Sequence, residues 1–191
     1  MGGLTSIGYF LISTLFSLIT FVLWARLFIR YFSISRFSPF YQTIYQLTNP
    51  LIAPIQQHLF HGTGARGSYD WAAFALLALC ELLKFAFLSF LFLNNALPLL
   101  SIALFTLVDL ITQPCNILFY AILIRVVMSW FNPDWHNPFA SVLIAVTEPP
   151  LRMIRRVLPD FGMIDFSPLV AIVALKIIEL FALGLLPFPM I

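Results

Sequence analysis

Nineteen consecutive residues, Ile7 to Ala25, carry no charge, and Arg26, Arg30 and the pair Tyr31-Phe32 close the run. At about 1.5 Å per residue, a helix of that length crosses roughly 30 Å of hydrocarbon. Arginines at such an end snorkel to the headgroups, and aromatic rings settle at the interface. A chain that opens this way folds around a bilayer, and its composition agrees. Only 9% of its residues are charged and 61% are hydrophobic, against about 25% charged in water-facing domains. The fold class expected is an all-α integral membrane protein. With a net charge of +2 and no basic face, nucleic acid is not an expected partner.

The chain then repeats itself. Ser38-Pro39-Phe40 returns 99 positions later as Asn137-Pro138-Phe139, and the same offset pairs Arg26 with Arg125, Thr48-Asn49-Pro50 with Thr147-Glu148-Pro149, and Ile55 with Ile154. Further on the offset is 95, pairing Asp70 with Asp165, Glu81 with Lys176 and Lys84 with Glu179. A four-residue insertion, placed at Gly62-Thr63-Gly64-Ala65, accounts for the change. Each copy reads as span, Pro-rich amphipathic loop, span. The first repeat covers 1–95, with spans near 7–32 and 71–93. A connector follows at 96–105. The second repeat covers 106–191, with spans near 106–131 and 168–186.

Ser38-Pro39 in the first loop and Ser167-Pro168 at the start of the last span each predict a helix cap with proline in the first turn. Thr48-Asn49-Pro50 is expected to break the first loop into two short helices lying on the membrane surface. The connector is expected to dip into the interface; if it crossed, there would be five spans. Charge decides between these. No lysine or arginine occurs in 1–25, 85–124 or 177–191, and Arg36, Arg66, Arg152, Arg155 and Arg156 sit in the two long loops. Four spans place both loops in the cytoplasm and both termini in the periplasm, as the positive-inside rule requires.

Glu81, Lys84, Lys176 and Glu179 fall inside spans, where a lone ion costs at least several kcal/mol. Each helix sets opposite charges at i and i+3. A pseudo-two-fold axis along the membrane normal would bring Glu81 to Lys176 and Lys84 to Glu179. Such a cluster either locks the halves in register or lines an ion path, and pairing inside one chain favours the lock. Arg152, Arg155 and Arg156 lie at i, i+3 and i+4 opposite Leu151, Ile154 and Leu158, a basic amphipathic segment suited to anionic lipid or a partner protein. His58, His61 and His136 lack the carboxylate or cysteine spacing of a metal site. Cys80 and Cys115 read as small apolar side chains between helices. No nucleophile elbow or phosphate loop occurs, so no catalytic residue, metal or cofactor is expected.

Asn137-Pro138-Phe139, Thr147-Glu148-Pro149, Pro150-Leu151-Arg152-Met153-Ile154-Arg155-Arg156 and Gly162-Met163-Ile164-Asp165-Phe166-Ser167-Pro168 together resemble the YggT family of bacterial inner-membrane proteins, with relatives in cyanobacteria and chloroplasts. The likeness covers nearly the whole chain. The first copy departs from it in Gln56-Gln57, where the family often has basic residues, and in the Gly-rich insertion. The resemblance implies a bacterial inner-membrane location and roles linked to osmotic shock, the cell envelope or division. Its chloroplast relatives are linked to haem attachment in a cytochrome b subunit and to nucleoid distribution. It brings no catalytic residues, and no span holds an axial-ligand histidine, so haem is not expected in this chain. The function expected is that of a non-enzymatic scaffold or assembly factor, in contact with the lipid bilayer, anionic lipids and a membrane-protein partner or second copy. The alternative is an oligomeric ion or osmolyte channel.

Overall fold

A computed structural model of the protein describes residues 3–59, 69–92, 97–131, 137–158 and 165–186. The expected insertion at Gly62, the connector start at 96, and His61, His136 and Met163 lie outside them, as does the side chain of His58. Six helices follow in order: α1 (Gly3–Tyr31), α2 (Pro39–Leu59), α3 (Trp71–Phe92), α4 (Leu99–Phe131), α5 (Pro138–Arg155) and α6 (Ser167–Leu183). The described residues are all-helical, without strands. Three of these helices, α1, α3 and α4, are long and apolar enough to cross a membrane.

Two sequence expectations are corrected. Pro50 and Pro54 do not break α2, nor do Pro149 and Pro150 break α5; both loops form one continuous helix. A proline removes one backbone donor, but here the preceding turn is held by a tertiary contact. Thr48 returns its hydroxyl to the Ile44 carbonyl at 2.7 Å while accepting from Arg26 at 2.7 Å. Thr147 does the same with Leu143 and Arg125, at 2.7 and 2.9 Å. Local propensity is overruled from the neighbouring helix. The second correction concerns α4, which begins at Leu99 rather than 106 and runs for 33 residues through Pro114. Residues 99–105 are therefore its first turns and not a separate segment ahead of it. At 1.5 Å rise it is about 50 Å long, more than the hydrocarbon thickness.

The caps also differ from expectation in part. Asn137 caps α5, accepting from the Ala140 amide at 2.7 Å. Ser38 and Ser167 make no such bond with their hydroxyls. The starts of α3 and α6 are instead served by aspartates: Asp70 accepts from the Ala73 amide at 3.2 Å, and Asp165 from the Ser167 amide at 2.9 Å.

α4 packs against α3, α5 and α6, whereas α1 packs against α2 and α3. Two small cores form where α2 and α5 pack against their neighbouring helices. Leu23 and Ile52 pack with Ala72, Ala73 and Leu77 in the first; Ile122 and Leu151 pack with Ala171 in the second. Leu23 and Ile122 are 99 positions apart, as are Ile52 and Leu151. Most other apolar side chains, such as Phe10, Leu18, Phe90 and Phe181, point outward, which fits helices solvated by lipid.

Candidate functional site

The polar side chains gather at two levels. The first level lies where α2 and α5 meet the ends of the long helices. Arg26 projects from the last turns of α1 and is only 2% exposed, so it does not snorkel. Its Nε donates to Asp70 at 3.0 Å, its Nη1 donates to Asn49 at 2.9 Å, and its guanidinium lies 4.1 Å from the Tyr45 ring centroid. Arg30 adds a second ion pair to Asp70 at 3.3 Å, and Gln56 donates to Asp70 at 3.3 Å. Burial, then the hydrogen bond with Tyr41, pushes the Tyr45 hydroxyl up to about 12, although Arg26 opposes the shift.

The equivalent junction in the second half uses the same positions with different charges. Arg125 donates to Glu148 at 2.7 Å. Arg155, standing where the first half has Gln56, reaches Glu148 at 3.0 Å and Asp165 at 2.9 and 3.0 Å. Burial alone would raise the Glu148 carboxyl, but the hydrogen bonds and charges of Arg125 and Arg155 outweigh it and hold it below its ordinary value. Asp165 is likewise lowered: burial opposes, and hydrogen bonds from Ser167 and Arg155 prevail. Burial opposes a rise at Arg155, yet its two carboxylate partners lift it above its usual range.

The basic segment is thus divided. Arg155 is committed to this ion-pair chain, whereas Arg152 stands 4.0 Å from Glu148 with its side chain 66% exposed, and Arg156 is exposed. Pro39 and Pro138 open α2 and α5, and Phe40 and Phe139 meet with ring centroids 5.5 Å apart.

The second level lies along α3, α4 and α6. Glu81 is fully buried and Lys84 nearly so. They pair with each other on α3, Lys84 also pairs with Asp109, and Gln113 donates to Glu81. On α6, Lys176 pairs with Glu179 at 2.6 Å. Asn116 accepts from Lys176 at 3.2 Å and donates to Glu179 at 3.2 Å. The ion pairs therefore run within α3 and from α3 to α4 in one group and within α6 in the other, where Asn116 of α4 completes it, instead of crossing from Glu81 to Lys176 as the pseudo-two-fold argument expects. The physical reason is the polar stripe Asp109, Gln113, Asn116 on α4, spaced at i, i+4 and i+7 along one side. None of these three is among the site residues expected from the sequence. Their helical spacing was the available signal.

Two cavities adjoin this level. One, of about 440 Å³, is lined by Tyr9, Ser13, Ser17, Lys84 and Asp109 and by Phe85, Leu88 and Phe105, with Leu183 at the end of α6 and Leu186 just beyond it. The other, of about 550 Å³, lies between α1 and α2 on one side and α4 and α5 on the other and is almost wholly apolar. Ser17 belongs to both.

Comparison with known proteins gives one consistent answer. The CCB3/YggT family model matches residues 5–91 and 103–186. The chain is 32% identical over 175 residues to the uncharacterised protein YggT of Escherichia coli strain K12, covering 90% of this chain and 86% of that protein. It is 32% identical over 168 residues to a protein encoded in the proC 3' region of Vibrio alginolyticus, covering 87% and 88%. Over 59 residues it is 41% identical to ycf19 of Guillardia theta, covering 30% of this chain and 64% of that protein. No solved structure matches it. Twin arginine-centred junctions, an apolar helical body and a family match running almost from end to end agree, and the chain belongs to the CCB3/YggT family.

Proposed function

We propose that this protein is a non-enzymatic, four-span scaffold or assembly factor of the bacterial inner membrane. In this reading the chain is a tandem duplication, α6 is the fourth span, α2 and α5 lie on the cytoplasmic surface, and the termini face the periplasm. The observation that carries it is how the intramembrane charges are used. Glu81, Lys84 and Asp109 are spent on one another, as are Lys176 and Glu179. Paired in this way, the charges tie α3 to α4 and close on α6, a structural use, although the first cluster, two carboxylates to one ammonium, keeps a formal charge of −1. Arg152 and Arg156 remain exposed on one side of α5, available to anionic lipid or a partner protein in processes of the cell envelope or osmotic stress. Photocrosslinking from position 153, beside both arginines, tests the idea. It should give a discrete membrane-protein adduct that disappears in Arg152→Gln, Arg156→Gln. An adduct pattern unchanged by that variant removes the docking role.

One observation favours a second reading, an oligomeric channel: Lys84 and Asp109 line a cavity of mixed polar and apolar walls that shares the lining residue Ser17 with the apolar one. Potassium efflux from proteoliposomes after osmotic downshift separates the two. Efflux above empty liposomes that is altered in Lys84→Met, Lys176→Met supports a conduit; no efflux from either protein supports the scaffold.

A further inference from the structure

The apolar cavity has dimensions and walls that neither reading requires. Along α1 it reaches from Ser17 to Ile29, about 18 Å at 1.5 Å rise per residue. The hydrocarbon core is roughly 30 Å thick, so the chains of one leaflet occupy about 15 Å. The cavity therefore matches the depth of a single leaflet, the one on the side of Tyr31, α2 and α5. Its volume of about 550 Å³ lies in the range of small-molecule sites, roughly 300–1,000 Å³.

Its walls select what can enter. Polar side chains are few, and three of them, Ser17, Gln113 and Asn116, stand at the deep end. Gln113 donates to Glu81, and Asn116 engages Lys176 with its oxygen and Glu179 with its nitrogen. A buried water needs two to four polar partners, and this lining offers it few. Left empty, the walls would lose their dispersion contacts on one side. At this depth in a bilayer the apolar material at hand is a lipid chain. Arg36 lies four positions before the lining residue Phe40, and Arg152 and Arg156 lie six and ten positions beyond the lining residue Val146; all three are exposed. Such arginines favour an anionic headgroup.

We propose that the cavity between α1, α2, α4 and α5 is a lipid site holding one acyl chain of an anionic phospholipid from the leaflet that faces α2 and α5. The chain fills the gap between the two halves, and the Phe40 and Phe139 rings flank it at the shallow end. The assignment rests on α1 and α4 crossing the bilayer, and it is independent of whether the protein acts as scaffold or channel.

The test uses the full chain reconstituted into vesicles of phosphatidylglycerol and phosphatidylethanolamine, extracted into mild detergent and weighed by native mass spectrometry. Wild type should retain one phosphatidylglycerol per chain. Ala121→Phe fills the cavity from α4 and should lower retention at least about tenfold. Ile178→Phe, on the exposed side of α6, should retain lipid as wild type does. If Ala121→Phe does not fold, Ala25→Leu fills the same cavity from α1 and carries the same expectation. Wild type free of lipid, equal retention by the filled and control variants, or equal capture of phosphatidylethanolamine each overturn the assignment. A chain that does not float with the vesicles removes the membrane reading as well; one that floats but retains no lipid removes this assignment alone.

Discussion

Gln56 and Arg155 make the same contact in the two halves. Each donates from α2 or α5 to the aspartate that starts the next helix, Gln56 to Asp70 at 3.3 Å and Arg155 to Asp165 at 3.0 Å. The neutral residue suffices in the first half because Arg26 and Arg30 already bring two positive charges to Asp70. In the second half Arg125 is turned to Glu148, so Arg155 must supply the charge for Asp165.

The two aspartates should therefore respond differently to neutralisation. Asp70→Asn leaves Arg26 buried with its counterion gone, and should cost about 3–5 kcal/mol. The Asp165 side chain is 47% exposed, and Asp165→Asn should cost no more than about 1 kcal/mol. Thermal unfolding of the detergent-solubilised variants measures the difference, and equal losses would contradict the asymmetry.

Acid should loosen the second junction. Glu148 and Asp165 both have folded-state values below their ordinary ones. Their stabilising contribution is therefore fully present above the ordinary carboxylate range and is lost as pH falls through the depressed values. Melting temperature should fall on acidification, and Glu148→Gln, Asp165→Asn should flatten that dependence while lowering stability at neutral pH. A double variant with an unchanged pH profile would show that these carboxylates do not govern it.

Within the spans, Lys84→Met strands Glu81 and Asp109 without a cation and should destabilise by at least about 3 kcal/mol. Replacing all three, as Glu81→Gln, Lys84→Met, Asp109→Asn, should recover part of that loss. The Lys176 side chain is 41% exposed, and Lys176→Met should cost less than Lys84→Met. Chemical denaturation in one detergent ranks the three proteins; a triple variant weaker than the single one would overturn the argument.

A phosphatase or fluorescent reporter fused after Ile191 should be active in the form that requires export from the cytoplasm, and a fusion after Leu158 should be active in the cytoplasmic form. The reverse pattern at Ile191 would remove the four-span topology.

Much of the helix pattern was legible because hydropathy and charge are local: the charge-free run from Ile7 to Ala25 and the apolar stretch from Trp71 mark α1 and α3 directly. What escaped depended on neighbours. Pro50 looked like a break because the arginine that steadies its helix is 24 positions earlier. Arg26 looked like a snorkelling anchor, and only its proximity to Asp70, Thr48 and Asn49 makes it the centre of a junction. Glu81 and Lys84 were recognised as costly, but α4 supplies their partners through residues that are individually unremarkable. The offset of 99 already paired Arg26 with Arg125 and Thr48 with Thr147; it could not say that Arg26 touches Thr48 and Arg125 touches Thr147.

The length and central position of α4 also bear on how the protein is made. Glu81 and Lys84 leave the ribosome before Asp109 and Gln113 exist, so α3 enters the bilayer with its polar cluster unfinished. α6 arrives last, onto an α4 that already displays Asn116. The helix that completes the first half is thus also the template for the second. A ribosome halted before α4 would leave in the membrane a fragment with intact hydrophobicity and an exposed polar spot, the kind of signal by which membrane quality control distinguishes an orphan from a finished chain.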